Sequence, residues 1–131
     1  MEDFVNIELA IKLKELDFNI PFFFYYRTDD KKLYHLERSQ PLLYGKDIID
    51  NEVVIAPTIY QVLKWLREEK GLHIEIIANS DGYWYIVSLT PRRGCLNLYR
   101  CYNGGTNDAG EWDDYEQCAL SAIKYILDNL I

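Results

Sequence analysis

Three cysteines, Cys95, Cys101 and Cys118, and two histidines, His35 and His73, are the side chains here that could supply a nucleophile, a base near neutral pH or a soft metal ligand. A cysteine nucleophile needs a base within hydrogen-bond reach, and the spacing does not supply one. Cys95 and Cys101 fall on one predicted strand at an even separation, so they share a face but lie ~20 Å apart along it. Cys118 falls on the apolar stripe of the last predicted helix, where a thiol behaves as a small hydrophobe. Neither a CxxC nor an HExxH pattern occurs. "TNDAGEWDD" is rich in oxygen donors, but Gly110 and its acids miss the positions of a calcium loop. Gly104-Gly105 lacks the Lys and Ser or Thr of a phosphate loop. Glu68-Glu69 suits a solvated helix face, and Asp113-Asp114 suits a helix N-terminus and its dipole. The expectation is therefore no catalytic residue, no metal and no cofactor.

The elements that would position any site are marked more clearly. Asp3 to Leu16 has helical periodicity, with Val5, Leu9, Leu13 and Leu16 on one stripe and Asp17 where a left-handed cap would fall. Phe22–Arg27 and Leu33–Glu37 read as a hairpin across a polar turn. Arg38 to Pro57 reads as a long ordered loop over the core, with room for a short strand or a turn of helix. Thr58 followed by Gln61 is a capping-box start for a helix over Ile59–Lys70, which Gly71 ends. "HIEIIANSDGYWYIVSL" is a second hairpin, with Asp81-Gly82 as its turn. Cys95–Tyr102 is a further strand, and "NGGTNDAGEW" is expected to be the most mobile segment. A final helix starts near Asp113 or Asp114. It carries Tyr115, Cys118, Ala119, Ala122, Ile123, Ile126, Leu127 and Leu130 at i, i+3, i+4 spacing.

This order, α-β-β-α-β-β-β-α, predicts one α+β domain over residues 1–131. It would be two-layered, with three helices on a mostly antiparallel sheet of about five strands. Two weakly similar αββ units are visible within it. "LKELDFNIPFFFYY" and "LREEKGLHIEIIAN" each run from a helix end through a tight cap into a strand.

A net charge of −7 disfavours binding to a phosphate backbone, and no basic run offsets it. The odd cysteine count and an N-terminus that is neither a signal peptide nor a membrane span point to a cytoplasmic protein with reduced thiols. The segments "APTIYQVLKWLREEKGLHIEI", "GYWYIVSL" and "DDYEQCALSAIKYILDNLI" resemble a family of short uncharacterised proteins from gut anaerobic bacteria and their prophages. The resemblance is weakest from Arg38 to Val54 and from Pro91 to Trp112. It implies a mobile-element setting and brings no activity or site residues.

What remains is aromatic surface. The chain has 11 tyrosines, and its strands carry bulky rings on both faces. A sheet with no polar face needs cover on both sides, from its own loop, a second copy or a ligand. The leading expectation is a non-catalytic interaction module, a homodimer or partner-binding protein, using Tyr25, Tyr83, Trp84 and Tyr85. The alternative is a small enzyme or small-molecule binder with a pocket at His35, His73 and Glu75 beside the Tyr34–Asn51 region. A third reading, an acidic decoy for a host protein, predicts one contiguous acidic face.

Overall fold

Asn6 decides where the chain first becomes helical. In the computed structural model, which describes residues 3–36, 52–89, 97–101 and 103–131, its backbone is extended and its side chain accepts the Leu9 amide at 2.9 Å. That N-cap starts α1, Ile7–Glu15, later than the periodicity suggests. The residues before the cap are strand-like: Phe4 bridges Thr58, and the Val5 amide donates to the Pro57 carbonyl at 3.0 Å. The helix ends as expected at Asp17, whose φ of 60° lets Phe18 donate back to Leu13.

The chain groups into two compact units, Met1–Thr58 and Ile59–Ile131. In the first, α1 is followed by β1 (Phe24–Arg27), β2 (Leu33–His35) and β3 (Val53–Ile55), in the sheet order β2-β1-β3. The expected hairpin pairs Tyr25 with Tyr34 and Phe24 with His35. Within the predicted long loop, β3 takes the other edge of β1, setting Tyr26 opposite Val54. The Tyr26 hydroxyl donates to the Val5 carbonyl at 2.7 Å, tying this sheet to the segment before α1. Residues 38–51 of that loop lie outside the described residues.

The second unit comprises α2 (Ile59–Glu69), β4 (Leu72–Asn79), β5 (Gly82–Leu89), β6 (Asn97–Cys101) and α3 (Tyr115–Asn129). Gly71, at φ 67°, turns the chain out of α2 and into β4, where the sequence placed a left-handed cap. The hairpin turn is closed by Asn79, whose Oδ1 accepts the amides of Asp81 and Gly82. Asp114 rather than Asp113 caps α3, accepting the Gln117 amide at 2.7 Å.

Both helices pack on one face of the β4-β5-β6 sheet and against each other. The α3 stripe from Cys118 to Leu127 is buried as its spacing requires, with Ile123 and Ile126 fully so. Burying an aliphatic side chain of that size contributes about 1.5–3 kcal/mol. The α+β class and the three helices stand. The single sheet of about five strands is not confirmed: the described residues form two antiparallel three-stranded sheets, in which β1 has its second neighbour in β3. The two αβββ runs echo each other in order but differ in pairing, with β1 central in one sheet and β5 in the other.

The segment expected to be most mobile is instead densely bonded. Asn107 Oδ1 accepts the amides of Ala109 and Glu111, and its Nδ2 donates to the Asp81 carbonyl and to Asp113. Gly105 fits because it has no side chain: a Cβ there would lie 2.1 Å from the Glu111 carbonyl carbon. Below the loop, Tyr83 and Trp112 exchange both backbone hydrogen bonds, at 2.9 and 3.1 Å. Polar composition alone concealed this order, since one asparagine supplies four of the bonds.

Candidate functional site

The strand register sorts the aromatic triplet of β5. Tyr85 and Val87 stand opposite Ile76 and Ile74 on the helix-covered face, where Tyr85 is only 3% exposed. Tyr83 shares that face and meets the Tyr115 ring edge-on. Trp84 points to the other face, paired with Ile77. The three rings therefore never form one surface. Tyr25 lies in the first unit, stacked on Tyr34 with ring centroids 5.5 Å apart. The Tyr34 hydroxyl in turn donates to Asp30, an interaction that holds the Asp30 carboxyl below its usual range and pushes the phenol up.

The residues of the alternative pocket divide likewise. His35, in β2, contacts the Phe24 ring edge-on at 4.8 Å and stacks on Phe23. His73 and Glu75 sit on β4, opposite Ser88 and Ile86, on the same face as Trp84. This outer face of the second sheet carries a half-buried apolar centre of Ile77, Trp84 and Ile86. Half-buried His73 and the exposed Glu75 and Arg100 lie around it. Ile77, Ile86 and Arg100 were not named as candidate site residues from the sequence, although alternation sets Ile77 with His73 and Glu75, and Ile86 with Trp84. Their signal was the period-two alternation with Glu75 and Trp84, which becomes informative once the register is fixed.

The helix-covered face opens into a cleft of about 330 Å³ between β5, β6, the Gly104 turn and α3. Buried Tyr85, Cys101 and Trp112 form its floor. Tyr99 and Tyr125 stack on each other along one wall, with centroids 3.9 Å apart and planes within 13°. Ser121, Lys124, Asp128 and Asn129 give it a polar rim, with Lys124 3.7 Å from Asp128. Ser121, Tyr125 and Asp128 form a row at i, i+4, i+7 beside the core stripe of α3, the one sequence signal for this cleft.

Tyr85 in the floor and Cys118 in the core behind it both hold their protons at neutral pH. Burial pushes the Tyr85 phenol well above its usual value, with the Cys101 thiol and Tyr99 adding to the shift. Burial likewise lifts Cys118 to about 12, aided by Cys101 and Glu111. A thiol acts as a nucleophile or metal ligand as the thiolate, so Cys118 is not activated. Among the described residues no three His, Cys, Asp or Glu side chains converge as a metal site. Nor is any helix there long and apolar enough to cross a membrane. Glu111, 5% exposed, spends one oxygen on the Asn79 amide group at 2.8 Å and serves the loop. No family model, curated protein or solved structure matches the chain.

Proposed function

We propose that this chain is a protein-interaction module and that the outer face of its second sheet receives a folded protein partner. The observation that carries the reading is the arrangement of Ile77, Trp84 and Ile86 on the face opposite both helices of that unit. An apolar centre bordered by polar groups is the usual anatomy of such an interface. His73 and Glu75 offer both a donor and acceptors to the rim of a partner. The aromatic residues contribute unequally: Trp84 lies on that face, whereas Tyr85 is buried in the interior and the half-buried Tyr83 shares the helix-covered side with it.

A photo-crosslinking amino acid placed at Ile86 tests this in the native host. A control at Tyr60, which is 68% exposed on α2, samples the helical layer. The expected result is a discrete protein adduct from position 86 and none from position 60. Equal adducts from both, or none from either, would refute the reading.

A second reading is favoured by the cleft. Its volume lies at the lower end for small-molecule sites. Its aromatic wall and Lys124–Asp128 rim suit a small polar ligand with a planar group. A library of such compounds, screened by chemical-shift perturbation, should move Tyr99 and Tyr125 signals and leave Trp84 unmoved. Shifts confined to Trp84 would reject it.

A further inference from the structure

β4 stands at an edge of its sheet. The exchange of both backbone bonds between Tyr83 and Trp112 occurs on the side of β5 away from β4. The alternation then directs Gly82, Trp84, Ile86 and Ser88 toward β4. Their partners Asn79, Ile77, Glu75 and His73 bond inward, leaving Leu72, Ile74, Ile76 and Ala78 with N–H and C=O groups pointing outward. Among the described residues no backbone hydrogen bond reaches that edge.

Among the described residues the other edges are guarded and this one is not. β2 and β3 are three residues each, too short to template much pairing. β6 has a register irregularity opposite Val87 and Ser88. β4 runs eight residues in unbroken register with β5. Its sequence, Leu-His-Ile-Glu-Ile-Ile-Ala-Asn, contains neither the Lys nor the Pro that commonly blocks an edge.

We propose that the occupant is a second copy of this chain, paired antiparallel through β4 about a two-fold axis at Ile74. In that register Ile74 faces Ile74 of the other copy and Leu72 faces Ile76, all through outward-pointing groups. About six interchain backbone bonds result. His73 falls opposite Glu75 twice, as non-hydrogen-bonded pairs, the positions at which side chains approach most closely. The neighbouring register, shifted by one pair, sets Glu75 against Glu75 and is disfavoured by like charge. The pairing would join the three-stranded sheets of two chains into one. It does not depend on the outer face having a partner.

Sedimentation equilibrium of the purified full chain, from about 5 to 500 µM, tests the proposal. The wild type should dimerise within that range. Ile74→Pro removes an outward N–H and no bond to β5, so it should give a monomer that keeps its far-ultraviolet spectrum. His73→Glu and Glu75→Lys should each weaken the dimer about five- to tenfold, and the double variant H73E/E75K should recover it. The charge variants leave the β4–β5 ladder untouched, so they decide the matter if Ile74→Pro unfolds. A wild type that stays monomeric at 500 µM overturns the proposal, including the case in which the edge receives a segment of a different protein. A dimer indifferent to Ile74→Pro, or a double variant no better than the singles, also overturns it.

Discussion

Replacing Asn107 with Ala should unlock the loop between β6 and α3. The side chain makes four hydrogen bonds, with Nδ2 at 2.9 Å from the Asp81 carbonyl and 3.1 Å from Asp113, and Oδ1 at 3.0 Å from the Ala109 amide and 2.8 Å from that of Glu111. Several lie near solvent, so each is worth the lower part of the usual range, and their joint loss should cost about 2–3 kcal/mol. For a cooperative unit of this size that is a fall in Tm of about 10 °C or more. Urea denaturation followed by tryptophan fluorescence gives the energy, and amide hydrogen exchange gives the location. Protection should collapse at Ala109 and Glu111. Asn107→Asp separates the two halves of the side chain: it keeps both acceptor bonds, so those amides stay protected. Stability still falls, because the donors are gone and a carboxylate now faces Asp113. An Asn107→Ala protein with unchanged midpoint and unchanged exchange at both amides would refute the idea that one residue organises this loop.

Further predictions concern the core and the helix ends. With its thiol lifted to about 12, Cys118 keeps its proton longer in the folded chain than in the unfolded one. The stability it contributes is whole below the ordinary thiol value of about 8.5 and is lost as pH climbs through the window up to about 12. Cys118→Ala should flatten the alkaline part of a stability–pH curve, and native Cys118 should resist iodoacetamide at pH 8 until the protein is unfolded. Asp17→Gly should stabilise the first unit by about 0.5–1 kcal/mol by relieving a left-handed backbone, and Gly71→Ala should destabilise the second by about 1 kcal/mol for the converse reason. Ile123→Ala, at a fully buried position, should cost about 2–5 kcal/mol in denaturant titration.

The parts of this fold that were legible were those written locally. A stripe at helical spacing and a capping aspartate located α3, and Asp81-Gly82 located the β4–β5 hairpin together with the alternation that splits Tyr83 and Tyr85 from Trp84. The start of α1 was misplaced because Val5 extends the apolar stripe in sequence, while Asn6 ends it in space by capping. β3 could be allowed for but not placed, because three residues carry too little alternation to distinguish a strand from a loop or a turn of helix. What made it a strand was β1, far away in sequence. The cleft was invisible for a similar reason. Tyr99 and Tyr125 belong to different elements, and only the packing of α3 on β6 stacks them.

The partition of the tryptophans gives the chain built-in optical reporters. Trp65 lies under the Lys70 ammonium and Trp112 beside the Tyr85 ring, both within the packed side of the second unit, while Trp84 faces the opposite way. A chain in which Trp65 and Trp112 are replaced by Phe would emit from Trp84 alone. Its colour and its quenching by iodide would then read occupancy of the outer face directly, without any attached dye.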